Sequence, residues 1–191
     1  HKANVPHMKV FDTTEGIDFI REERHHHGNH EHEGGVEPHI WNSTTNASII
    51  ADNICKALCQ LDTVNQSYYQ ERTDSLKQII VQTDRNIRSF LQNADSTFLI
   101  YHPALSYFAR DYGLKQISIE EGGKEPSPSN LKTLIDTCRR EGVRVIFVQQ
   151  EFDQRNAQLI ASELGIQVIP INPLSYDWQE EMIRVAESLM K

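Results

Sequence analysis

From residue 97 onward the chain alternates short apolar runs with amphipathic ones, and this alternation limits the fold more than any other feature. The first unit is TFLIYHPALSYFARDYGL, residues 97–114, in which an apolar strand runs into a histidine, a proline and an amphipathic helix. The helix of that unit is 104–112, and three more units follow: strands at 116–120, 143–148 and 167–171, with helices at 130–141, 154–164 and 178–190. Gly113, Gly142 and Gly165 stand where three of those helices must stop, as residues that enter the left-handed conformation of a helix end without penalty. Strands each followed by a helix predict an α/β fold, with a four-stranded, mostly parallel sheet flanked by helices. In such folds ligands collect at the carboxyl ends of the strands. His102 sits at one of these junctions, where it is either a metal ligand or a turn histidine held by hydrogen bonds.

Composition narrows the function. At 191 residues and 38% hydrophobic content the chain can bury a sizeable core. Its longest apolar run, 143–148, falls far short of the roughly 20 residues that span a bilayer. A net charge of -8 lacks the basic face that nucleic acid requires, and an acidic surface attracts cations instead. Cys55, Cys59 and Cys138 form neither a zinc-finger spacing nor an even disulfide set. The first residues, HKANVPHMKV, have no basic start followed by an apolar run, so the chain is expected to be either cytoplasmic or a mature or truncated form.

Ahead of the alternating region the pattern changes. Residues 7–14, HMKVFDTT, read as a short strand whose pairing partners would lie upstream. Residues 21–36, REERHHHGNHEHEGGV, are polar and aperiodic, as expected of a loop, and carry His25, His26, His27, His30 and His32 among glutamates. Imidazoles suit zinc, copper, nickel and iron, and a flexible multi-histidine loop binds such ions weakly. A tag-like or accidental run and a passive acidic tether are the competing readings. Next comes His39, beside Pro38 and near Trp41, an aromatic large enough to wall a site from water. Apolar residues at helical spacing predict a helix over 45–61, and a second, uninterrupted one over 66–91.

These pieces together resemble the metal-binding receptors of bacterial zinc and manganese ABC importers, the ZnuA-type solute-binding proteins. The segments that carry the resemblance are EPHIWNSTTNA, LIYHPALSYFARDYGLKQISIEEGGKEPSPSNL, VIFVQQEFDQRNAQLIASELG and VIPINPLSYDW, which span most of residues 37–191. The resemblance implies a remnant of an N-terminal lobe at 1–62, a rigid interlobe helix at 63–94 and a C-terminal α/β metal-binding lobe at 95–191. It implies one metal ion held between two lobes, with His39 and His102 as ligands and a further histidine expected upstream of His1. Asn172 stands where many relatives carry an aspartate able to contact the metal, and Glu120 and Glu121 are given a supporting role. An imidazole-rich site without that anion favours Zn2+ over the harder Mn2+.

The expected function is therefore capture of Zn2+, or alternatively of manganese or iron, and its delivery to an ABC transporter permease. The expected place is the periplasmic or extracellular face of the cytoplasmic membrane, with lipid anchoring through an upstream leader as one form of attachment. The histidine-rich loop would be a low-affinity collector. A metal-storage or adhesion protein using only that loop is the alternative from another class. A zinc hydrolase would need a general base, and the chain has neither a His-Glu-x-x-His helix nor a nucleophile elbow, so it is not read as an enzyme.

Overall fold

The computed structural model describes residues 8–21, 35–120 and 123–190. Two helices come first, α1 (Thr44–Leu61) and α2 (Gln66–Leu91), joined by a single 3-10 turn at Thr63–Asn65. Ser43 caps α1 by accepting the Asn46 amide on its Oγ at 3.0 Å, which satisfies one of the orphan donors of a helix start. The alternating region then supplies β1 (Thr97–Ile100), α3 (Ser106–Tyr112), β2 (Lys115–Ser118) and α4 (Pro128–Glu141). It continues with β3 (Val145–Gln149), α5 (Arg155–Leu164), β4 (Gln167–Ile171) and α6 (Trp178–Glu187). Pro128 occupies the first turn of α4, where its missing N–H costs nothing, and Gly113 ends α3 at φ 66°.

The strands form one parallel sheet in the order β2-β1-β3-β4. β1 and β3 lie in the centre, buried along their whole length, and their side chains alternate between two cores. Phe98, Ile100, Val145 and Phe147 face α2, α3 and α6, where they meet Ile87, Phe108 and Met182. Leu99, Tyr101, Ile146 and Val148 face α4 and α5, against Cys138, Ala157 and Ile160. Each large side chain buried in this way contributes about 1.5–3 kcal/mol. The period-2 alternation of a continuous apolar run is what a sheet covered on both faces requires.

One expected element is absent: Met8 to Thr14 forms no strand. Asp12 accepts the Thr14 amide and hydroxyl at 2.8 and 2.6 Å, closing a turn. No neighbouring strand among the described residues offers it a ladder, and a strand without a partner leaves its backbone groups unpaired.

The 26 residues of α2 span roughly 39 Å. Its buried residues, Ile80, Thr83 and Ile87, all lie in its second half. Asp84 ties α2 to its neighbours: Oδ1 accepts Thr44 Oγ1 at 3.1 Å and Tyr112 OH at 2.9 Å, and Oδ2 accepts Arg88 Nε at 2.8 Å. Burial pushes the Asp84 carboxyl up, but Arg88, Tyr112 and Thr44 outweigh it and hold the group below the usual aspartate range. A depressed folded pKa gives stability that is complete above the unfolded value, near about 3.9, and is lost as pH falls through the folded one. Asp84→Asn is therefore expected to cost about 1–3 kcal/mol at neutral pH. In urea titrations across pH, the gap between variant and parent should close in acid; a gap independent of pH would refute the assignment.

Candidate metal centre

The chain leaves β1 toward β2 on one side, and β3 leads to β4 on the other, so the sheet changes direction between the carboxyl ends of β1 and β3. A crevice opens at such a point because the connections diverge there. His102 lies two residues past the end of β1, and Gln149 is the last residue of β3. Gln149 is 1% exposed and clamps the His102 backbone, donating Nε2 to the His102 carbonyl at 2.8 Å and accepting the His102 amide on Oε1 at 3.4 Å. The parallel ladder runs on past β2, with the Glu120 amide donating to the Tyr101 carbonyl at 3.1 Å. That register sets Glu120 beside His102, and the two side chains meet, Nδ1 to Oε2, at 3.1 Å.

His39 arrives from outside the sheet on the segment that precedes α1. Tyr107, buried in α3, donates its hydroxyl to the Glu37 carbonyl at 2.9 Å. Trp41 Nε1 donates to the Pro173 carbonyl at 2.8 Å, and Trp178 Nε1 donates to the Trp41 carbonyl at 2.9 Å. Asn42, 2% exposed, reaches the Ala104 carbonyl at 2.9 Å. These four bonds come from three different parts of the α/β unit, so His39 is held in place without belonging to the sheet. Glu37 accepts both the His39 amide, at 3.0 Å, and the His39 ring through Nδ1.

The two imidazoles converge with Nε2 atoms 3.3 Å apart and ring planes at 76°. Phe152 stacks on the His102 ring at 5.5 Å, and Trp41 meets the His39 ring edge-on at the same centroid distance. Together with Glu151, Pro173 and Leu174 they bound a cleft of about 210 Å³. Burial pushes the Glu37 carboxyl up, yet the hydrogen bonds and charge of His39, with Ser106, bring it below the usual glutamate range. Two imidazole nitrogens facing one another between aromatic walls are donors of the kind that suit a borderline cation. Among the described residues, no group of three or more His, Cys, Asp or Glu side chains is arranged to hold a metal ion.

Of the residues singled out in the sequence, His39 and His102 are brought together. Asn172 is exposed and serves a turn, its Oδ1 accepting the Leu174 amide at 3.2 Å while its own amide donates to Glu181 at 2.8 Å. It borders a separate crevice with Trp178 and Met182. His25, His26, His27, His30, His32 and Glu121 lie outside the described residues. Sequence reasoning missed Glu37, Gln149 and Phe152. A glutamate two residues before a histidine was a usable signal; the other two act across the fold and carried none.

Parallel α/β architecture with paired histidines at its carboxyl edge defines the class, a candidate metal-binding α/β protein. The family model described as zinc-uptake complex component A, periplasmic (ZnuA), matches residues 1–191, and the chain belongs to that family. The high-affinity zinc uptake system protein ZnuA of Bacillus subtilis is 30% identical over 149 residues, covering 76% of this chain and 47% of that protein. A crystal structure of ZnuA superposes with a TM-score of 0.86 at 32% identity, over 95% of this chain and 68% of that one. The laminin-binding protein Lmb of Streptococcus agalactiae, described as bifunctional with adhesin and metal transporting activity, gives 0.81 at 26% identity, over 95% and 71%. The chain spans a third to a half of the length of the curated relatives it matches, 34% for the zinc-binding protein AdcA of Streptococcus pyogenes and 47% for ZnuA.

The Gln149 clamp yields a prediction. Gln149→Ala strips two partners from the His102 backbone, and its expected cost is about 1–3 kcal/mol in denaturant unfolding. A loss below about 0.5 kcal/mol, the range of ordinary surface changes, would remove Gln149 from the machinery that holds His102.

Proposed function

We propose that this chain forms part of a receptor that captures Zn2+ outside the cytoplasmic membrane and hands it to a membrane permease, without covalent chemistry. One observation carries the reading: the His39 and His102 Nε2 atoms lie 3.3 Å apart. Two nitrogens each 2.0–2.1 Å from one tetrahedral zinc are separated by roughly 3.3 Å. The spacing therefore matches what one zinc ion would impose on two of its ligands. Water or donors beyond these two side chains complete the shell. Asn172 is assigned to the turn that shapes the rim, and the histidine-rich loop to weak collection of ions.

The zinc-uptake names of the family and of the relatives support zinc as the cargo. So does a donor pair made of imidazoles, which favours zinc over manganese. The family description is periplasmic, and a relative from Streptococcus pneumoniae is named a zinc-binding lipoprotein, which supports a place at the outer face of the membrane. No helix among the described residues is long and apolar enough to cross a membrane. The long α2 would serve as the stiff element between two lobes, with residues 1–62 in the first and 95–191 in the second.

The test is zinc titration of the chain with residues 25–33 deleted, so that the loop does not compete. His39→Ala and His102→Ala should each weaken binding by more than the roughly 10- to 100-fold that loss of an outer-shell partner causes. Only neutral imidazole binds metal, so affinity should fall as the solution is acidified. Zinc binding that ignores both substitutions would overturn the proposal.

A further inference from the structure

Each of the two imidazoles has its own carboxylate. His39 Nδ1 is bonded to Glu37 and His102 Nδ1 lies 3.1 Å from Glu120 Oε2, while both Nε2 atoms face one another. The two carboxylates come from opposite sides, one from the segment before α1 and one from the loop after β2. Both are nearly enclosed, with side chains 10% exposed. Each is also placed by contacts other than its histidine, Glu37 through its carboxylate and Glu120 through its backbone. Glu37 Oε2 lies 3.3 Å from Ser106 Oγ, which in turn accepts Gln116 Nε2 at 2.9 Å. Glu120 is set by the ladder bond to Tyr101, and Gly123, at φ 79°, turns the chain beside it without a side chain.

A carboxylate accepts hydrogen bonds and, when ionised, donates none. A hydrogen bond from each Nδ1 to its carboxylate needs the proton on Nδ1, and in a neutral ring that leaves the Nε2 lone pair free. Two lone pairs aimed at each other across 3.3 Å repel unless a positive charge lies between them. We propose that Glu37 and Glu120 are positioning residues that lock His39 and His102 in the Nδ1–H tautomer and supply, one bond outside the ligand shell, the negative charge that the neutral ligands lack. The proposal rests on the zinc-receptor reading above. It gives these two neutral ligands a counter-charge for a dication: one carboxylate sits behind each histidine. Fixing ring orientation and raising ligand basicity is what such partners do for metal-bound histidine.

The experiment uses the full chain labelled with 15N at histidine, with zinc as the probe, and the variants Glu37→Gln and Glu120→Gln. Glutamine keeps the shape and still accepts a hydrogen bond, so only the charge is removed. In the zinc-loaded parent, both imidazoles should show a downfield Nδ1–H and zinc on Nε2. Each variant should lower zinc affinity by roughly 10- to 100-fold. The Glu37 variant should move the Nδ1–H signal of His39 alone, and the Glu120 variant that of His102 alone; a general structural role would not separate the two. Zinc on Nδ1 in the parent, or affinities within about twofold of the parent in folded variants, would overturn the proposal. Should a variant fail to fold, the other variant and the parent spectrum decide. If zinc shifts neither imidazole of the parent, the receptor reading falls and this one with it; shifts at both Nε2 atoms that ignore the glutamates spare the receptor reading and overturn only this one.

Discussion

The attachment of residues 37–42 to the α/β unit is the constraint on which the candidate site depends. A sheet can present its own residues at its carboxyl edge, but His39 belongs to no strand and to no helix. It is held by hydrogen bonds from Tyr107, Trp41, Trp178 and Asn42, all four reaching backbone carbonyls. Such bonds are modest one at a time, at about 1 kcal/mol each, yet they come from separate elements and leave the segment little freedom. Trp41 has two roles here, since its indole N–H anchors the segment and its ring walls the cleft beside His39.

His102 is fixed in the opposite way, through the sheet. Parallel pairing carries Glu120 to its side, and the buried Gln149 of the neighbouring strand holds both its backbone amide and its carbonyl. Parallel strands expose one row of ends, and the point where the connections diverge leaves space there. The site is therefore a meeting of two supports, one from ladder register and one from side-chain anchoring. A metal ion that needed both histidines would draw its geometry from the relation between the two.

Much of the fold was legible in the sequence because hydrophobic periodicity and turn residues act locally. The runs at 143–148 and 97–101 read as strands from their length and β-branched content, and Gly142 and Gly113 mark helix ends by their backbone freedom. Boundaries moved by one to three residues, as at β3, which begins at Val145, and α4, which begins at Pro128 under the Ser127 cap. Of the strand expected at 7–14, the described residues 8–14 form none, because alternation within a segment says nothing about whether a partner lies alongside it.

For the candidate site the division is sharper. Residue type and local context in the sequence by themselves determined that His39 and His102 were the histidines to watch, one beside Pro38 and Trp41 and one at a strand-to-helix junction. Only the tertiary structure decided that their Nε2 atoms meet, that each Nδ1 has its own carboxylate, and that Asn172 faces a turn. The physical reason is distance along the chain. His39 and His102 are 63 residues apart, and His102 and Gln149 are 47 apart. No local pattern encodes contacts of that range; they arise when strand order and the anchoring of one short segment bring distant side chains to the same edge of the sheet.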